Sequence, residues 1–269
     1  MIWILRRGTT ADLRLSAGPR RREGTVCVPE TVESLDDVLP AARDLSDLLA
    51  DHVTDAAERA GTPVSCTKGC GACCRQLVPL LPVEARHLSA VVDDLPEHRR
   101  AVVRGRARAV VEALDGAGLL ASVRQVGELD SRERRELGAS YFELGLSCPF
   151  LEDEACSIHA DRPLKCRDYL VINDPMHCRE PLGGGVVGVA LRGHSWAALR
   201  ELASVFGADE KRVVPLVLAV AEAESWHPAP KAADATAPGQ DVLARLLAAT
   251  VEADRTEHVD EQSGANNHQ

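Results

Sequence analysis

Long apolar runs, excess positive charge, a leader-like start and aromatic side chains are all scarce or missing in this sequence. Each absence excludes something. The longest uninterrupted apolar run, Val213–Ala221, covers nine residues and includes Pro215. A membrane-spanning helix needs about 20, so no spanning segment is expected. Lys+Arg total 31 against 41 Asp+Glu, a formal charge of −10. That balance argues against general nucleic-acid binding, which needs a basic face to neutralise phosphates, and against docking on an anionic membrane surface. The start offers only Ile2–Leu5 as an apolar stretch before Arg6 and Arg7. A secretory leader places its charges first, followed by at least ~7 apolar residues, so the chain is expected in the cytoplasm. There is also no glycine-rich loop ending in Lys-Ser or Lys-Thr and no nucleophile elbow.

What the sequence does have is cysteine. There are nine in 269 residues. Even scattering would put roughly 0.3 of them in any nine-residue window, yet Cys66, Cys70, Cys73 and Cys74 share one. Four more, Cys148, Cys156, Cys166 and Cys178, follow in a loop-rich stretch punctuated by Pro149, Pro163, Pro175 and Pro181. A reducing compartment does not keep such thiols as disulfides, so the clustering points to metal binding or catalysis.

Periodicity places helices around these stretches. Pro40–Ala60 carries the stripe Leu45, Leu48, Leu49, Val53, Ala56 and Ala60, with Pro40 suited to the first turn and Gly61 to the end. Pro82–Leu95 reads as a second helix, and Pro96 opens a third that Gly116 and Gly118 end. Its arginines (Arg99, Arg100, Arg104, Arg106, Arg108) read as a solvated face. Residues 119–145 are ambiguous, with helix through Arg132–Leu137. A short turn is expected at Asp161–Cys166, capped by Asp161 with Pro163 near its start. Trp196, Leu199, Leu202 and Phe206 share a helical face, with Ser195 as the cap. An apolar segment runs Val213–Trp226, a linker runs from Pro228 to Pro238, and a last helix is expected over Asp241–Ala253. Residues 1–33 hold Arg6, Arg7, Arg14, Arg20, Arg21 and Arg22 against Asp12 and Glu23, which makes the first 24 residues +4, and no sustained period. They are expected to be a disordered extension, as is the polar tail 254–269. The fold class is thus mainly α: one domain over 34–253, with helices flanking an irregular, metal-organised cysteine-rich lobe at 62–180.

Closely spaced thiols reach one ion because a tight turn brings their sulfurs together. Gly69 and Gly71, on either side of Cys70, supply backbone freedom for such a turn. The distant cysteines of the second stretch then close the shell, tying residue 66 to residue 178 where few aromatics are available to do so by packing. Sulfur-only donors favour zinc or an iron–sulfur cluster over magnesium or calcium. Eight cysteines make either two four-sulfur zinc sites or one cubane with a separate site. Cys73 and Cys74, as chain neighbours with diverging side chains, serve different ions or bridge two. The spacing Cys66-x3-Cys70-x2-Cys73 also matches the three-cysteine loop of radical S-adenosylmethionine enzymes, but those follow it with alternating strands and helices, and the next 70 residues here read as helices.

CTKGCGACC, then CPFLEDEACSIHADRPLKCRDYL, then Cys178 resembles the YkgJ-type cysteine-cluster family, a zinc- or iron-chelating domain with a CxxCxxCC-like signature. The resemblance covers about residues 62–180. It implies Cys66, Cys70, Cys73, Cys74, Cys148, Cys156, Cys166 and Cys178 as the metal ligands, and leaves Cys27 an incidental thiol. The first spacing is x3 here rather than x2. A flagellin lysine methylase carries a similar cluster, which makes protein-modifying methyl transfer an alternative by analogy.

Other groups are read more plainly. His159 is a surface group or a fourth ligand. Arg162 and Arg167 bond carbonyls or offset thiolate charge. Asp168 and Tyr169 form a buried hydrogen-bonded pair, and Glu152–Glu154 a solvated loop. Gly183, Gly185 and Gly188 satisfy GxGxxG without the strand a dinucleotide site requires and read as a flexible connector. The expected function is a cytoplasmic zinc- or iron-binding protein whose metal is primarily structural, acting on an unidentified protein or small-molecule partner. The alternatives are an iron–sulfur-dependent enzyme and a metal buffer or carrier.

Overall fold

A computed structural model describes residues 2–17, 20–67, 69–180, 183, 185–189, 193–226 and 236–250. The fold is mostly helical, with small sheets. No described helix is long and apolar enough to cross a membrane. The tail 254–269 and most of the linker from Pro228 lie outside the described residues.

Residues expected to be a disordered extension form an antiparallel meander: β1 (Ile2–Arg7), β2 (Thr10–Ala17) and β3 (Arg20–Cys27), in the order β1-β2-β3. Strand β2 alternates, with Ala11, Leu13 and Leu15 buried and Asp12 and Arg14 exposed. A strand turns successive side chains to opposite faces. One face packs on a helix while the other stays wet and charged, and that charge is what made the segment look unstructured. Gly8 turns the first hairpin at φ +61. The short strand β4 (Thr31–Val32) follows.

Helix α1 (Leu39–Arg59) covers the sheet. It buries Leu39, Ala41, Ala42, Leu45, Leu49, Val53 and Ala57, so the stripe ends on Ala57 rather than the exposed Ala60. Gly24 on β3 lets the helix come close, since a Cβ there would stand 3.1 Å from Leu48 Cδ2. The remaining elements, in chain order, are β5 (Pro79–Leu80), α2 (Pro82–Asp93), α3 (Glu97–Gly116), α4 (Leu120–Arg124), α5 (Ser131–Glu143), β6 (Leu151–Glu152), β7 (Ala155–Cys156), α6 (Leu164–Asp168), α7 (Ser195–Ala203), β8 (Val214–Pro215), α8 (Leu216–Ala221), β9 (Ala237–Pro238) and a helix over 239–250, here α9. Asp130 caps α5, accepting from the backbone N–H groups of Arg132 and Glu133, while Glu133 accepts from the Asp130 N–H. That is a reciprocal capping box. At α7 the cap position is His194; Ser195 is the first helical residue and is buried. At α6 the cap is Pro163, not Asp161.

Two apolar clusters result. One joins the sheet, α1, α7 and α9. The other joins α2, α3, α4, α5 and α8, with Tyr141 and Phe150 among its largest fully buried side chains. Helix α2 serves both: Leu81 and Val83, at its start, belong to the first, and Ala85, Leu88 and Val92 to the second. Pairing of β4 with β9 and of β5 with β8 ties distant parts of the chain together. The cysteine-rich stretches lie beside this frame, around a third, small cluster of Ala72, Val171 and Cys178.

Candidate metal centre

The first cysteine stretch leaves α1 through a loop that is pinned at once. Ser65 donates its N–H to the Val171 carbonyl (2.8 Å) and its hydroxyl to the Asn173 carbonyl (2.7 Å). The Val171 N–H points at Cys66 Sγ, 3.4 Å away. Gly69 takes φ +93, a conformation that disfavours any side chain, and so turns the chain between Cys66 and Cys70. A 3-10 turn over Ala72–Arg75 then carries Cys73 and Cys74 as neighbours, and their thiols hydrogen-bond each other. Gly71 does a different job from Gly69. Its φ is −95, open to any residue, but a Cβ there would meet Leu151 Cδ1 and Glu154 Oε2 at 2.7 Å. It is the point where the loop touches the β6–β7 hairpin.

The second stretch is fastened to the first. The Cys148 N–H donates to the Cys74 carbonyl at 2.7 Å. Arg75 bridges the Gly71 carbonyl (2.8 Å) and Glu154 (2.7 Å). The hairpin turns through Asp153 and Glu154, both at positive φ (48 and 58), and places Cys156 opposite Leu151. Segment 152–154, expected as a solvated loop, is therefore anchored: Glu152 accepts from Arg99 at 2.8 Å and from Arg106 at 3.4 Å. Two of the arginines read as a solvated face hold the cysteine hairpin down. Helix α6 brings in Cys166, and a 3-10 turn over Pro175–Arg179, capped by Asp174, brings in the buried Cys178. Alongside it Gly188 bridges Val171, and the Ile172 N–H donates to the Val187 carbonyl at 3.0 Å.

Electrostatics couple thiols of the two stretches, chiefly through Cys73. It lies in electrostatic reach of Cys66, Cys74, Cys148, Cys156, Cys166 and Cys178, while Cys70 is in reach of Cys66 and Cys178. The hydrogen bond with Cys74, then burial, raises the Cys73 thiol far above its ordinary range. Burial pushes Cys148 up to about 12 and raises Cys66, Cys156, Cys166 and Cys178, each further raised by its thiol neighbours. Thiolate is therefore costly here unless a cation offsets it. The donor set suits a soft or borderline ion, and none of the nine cysteines is in a disulfide. The shell is not closed: among the described residues, no three His, Cys, Asp or Glu side chains stand at metal-holding distances. The residue type fits zinc or iron.

Cys27 ends β3 and is exposed. His159 is exposed at the start of a 3-10 turn. Arg167, almost fully buried, donates to the carbonyls of Ala160 and Arg162 and to Asp47, which makes it a backbone brace. Asp168 and Tyr169 are not a pair: Asp168 accepts from Ser46 Oγ at 2.7 Å, and Tyr169 Oη accepts from Gln76 at 3.1 Å. Periodicity gave no sign of Glu84, which is buried and accepts from the N–H groups of Leu81 (3.0 Å) and Leu164 (2.9 Å). Its place three residues into α2 is the usual back-capping position. An open groove of about 580 Å³ runs past Cys156 between Gly69 and the hairpin residues Glu152 and Asp153.

Residues 65–179 match the model of the CxxCxxCC family, described as a putative zinc- or iron-chelating domain. No curated protein and no solved structure matches the chain.

Proposed function

We propose that the CxxCxxCC segment binds zinc or iron through Cys66, Cys70, Cys73, Cys74, Cys148, Cys156, Cys166 and Cys178, and that the metal primarily holds the two cysteine stretches together. The observation that carries this is the position of Cys73, in electrostatic reach of thiols from both stretches. The family description supplies the same pair of metals. A bound cation would stabilise the thiolate forms that burial disfavours. Nine unpaired thiols agree with a reducing, cytoplasmic setting. Asp168 and Tyr169, the acid–base candidates beside Cys166 in sequence, are taken up by Ser46 and Gln76, which favours the structural reading over catalysis. The groove beside Cys156 is what favours the second reading, an enzyme working at an iron–sulfur centre.

Elemental analysis with a visible spectrum, on protein purified without oxygen or chelator, separates these readings. Colourless zinc protein supports the structural role, and brown iron protein the enzyme. Cys70→Ser should lose metal and loosen residues 62–180, whereas Cys27→Ser should do neither. Equal metal content in Cys70→Ser and wild type contradicts the reading.

A further inference from the structure

His87, on α2, stands where a donor and an acceptor meet. Its Nε2 lies 2.6 Å from Arg43 Nη1, on α1, and 3.2 Å from Asp161 Oδ1, on the 3-10 turn over His159–Asp161. Arg43 also donates from Nη2 to that same Oδ1 (2.9 Å) and to the Ala160 carbonyl (2.7 Å). One ring nitrogen cannot serve both neighbours at once. Arg43 is always a donor, so its short contact requires a lone pair on Nε2, which puts the proton of the neutral ring on Nδ1. An ionised Asp161 only accepts, so Nε2 bonds it only when Nε2 carries a proton.

We propose that His87 is a proton-operated clasp: neutral, it accepts from Arg43 and joins α1 and α2 over the turn between Cys156 and Cys166; protonated, it donates to Asp161 and releases Arg43. In this step a proton from solvent adds to the Nε2 lone pair. The Nη1–H···Nε2 bond breaks, an Nε2–H···Oδ1 bond forms, and the ring gains one positive charge. His87 and Asp161 are both partly exposed, so the proton has access. Two adjoining cations then repel, the Arg43 guanidinium swings away, and the Ala160 carbonyl loses its Nη2 donor. The turn does not come free, because Arg167 still donates to the carbonyls of Ala160 and Arg162. The turn is handed from α1 to α2 without unfolding.

The surroundings favour the neutral ring at pH 7. Arg43 faces it from α1 and Asp161 from the turn. Arg167 acts on it from α6, with its own charge met by Asp47 of α1. Arg162 and Glu84 line the same crevice of about 10 Å³, about the space of one water. Glu84 is turned to the N–H groups of Leu81 and Leu164. Burial holds its carboxyl up at about 7, so it is largely uncharged before His87 titrates. Burial, then Arg43, keeps the His87 ring neutral to lower pH than usual, against the pull of Asp161. Against burial, Arg43 and His87 keep Asp161 ionised below the usual carboxylate range.

The test follows the whole chain, with nitrogen-15-labelled histidine, by long-range proton–nitrogen spectra between pH 8 and pH 5. The signal missing from His87→Gln identifies His87. At pH 8 it should show the Nδ1–H tautomer. Its midpoint should lie below the ordinary value of about 6.5, and the amide signals of residues 159–162 should shift with the same midpoint. In His87→Gln the side-chain carbonyl accepts from Arg43 at every pH, so the 159–162 response should vanish. Arg43→Met removes donor and charge together, and the His87 midpoint should rise by about one unit. An Nε2–H tautomer at pH 8 overturns the clasp. So does a 159–162 response that departs from the His87 midpoint or persists in His87→Gln, and so does a midpoint that Arg43→Met leaves in place.

Discussion

A buried carboxylate sets the first residue-scale expectation. Burial holds the Glu84 carboxyl up at about 7, against the pull of two backbone N–H groups. Between the ordinary carboxylate range and pH 7 the folded chain therefore keeps a proton that the unfolded chain has released. Stability falls as pH rises through that window and levels off above it. The span corresponds to a few kcal/mol, of order 3. Asp168, also raised by burial, adds to it with the same sign. Urea unfolding between pH 5 and pH 8 should show this slope in wild type and a shallower one in Glu84→Gln; equal slopes would count against it. At Gly71 the expectation concerns contact distance. Gly71→Ala removes no sulfur but pushes the loop off Leu151 and Glu154, so zinc affinity should drop at least about tenfold, as when a site is held slightly out of shape. Wild-type affinity in this variant, by competition with a chromophoric chelator, would contradict the close approach. The cysteines and Gly69 were legible because their chemistry is written in residue type and spacing. Glu84 was not, and Gly71 was read only as turn freedom rather than close approach, because each owes its role to a partner far along the chain.

Among the elements, the helices α1, α2 and α3 were legible from their 3.6-residue period and from the prolines and glycines at their ends. The N-terminal meander was not, because its outer face is charged and only β2 shows a clean alternation. The β6–β7 hairpin was hidden as well, since two-residue strands carry no period and the turn uses Asp153 and Glu154 rather than glycine. On one side the hairpin is held by α3, through Arg99 and Arg106 on Glu152. Ion pairs this exposed contribute at most about 1 kcal/mol. Glu152→Ala should therefore leave global unfolding nearly unchanged while hydrogen exchange quickens over residues 148–157. A large global loss would mean that the hairpin is part of the main folding unit.

For the molecule as a whole, the two large apolar clusters are built without the eight cysteines as central members. Removing metal should therefore loosen the lobe before the frame. Exchange protection over 65–75 and 148–180 should collapse with chelation while α1 and α3 stay protected. Helical circular dichroism should change little. Simultaneous loss of both would show that the metal supports the entire fold.

The hydrogen bond from Ser65 to Val171 closes a span of 106 residues. Contacts that distant in the chain form late, because the intervening loop must first be closed. During synthesis the CTKGCGACC turn leaves the ribosome well before Cys148–Cys178 exists to meet it. Its four thiols wait uncovered through the making of α2 to α5, the interval in which a wrong ion or an oxidant has its best chance.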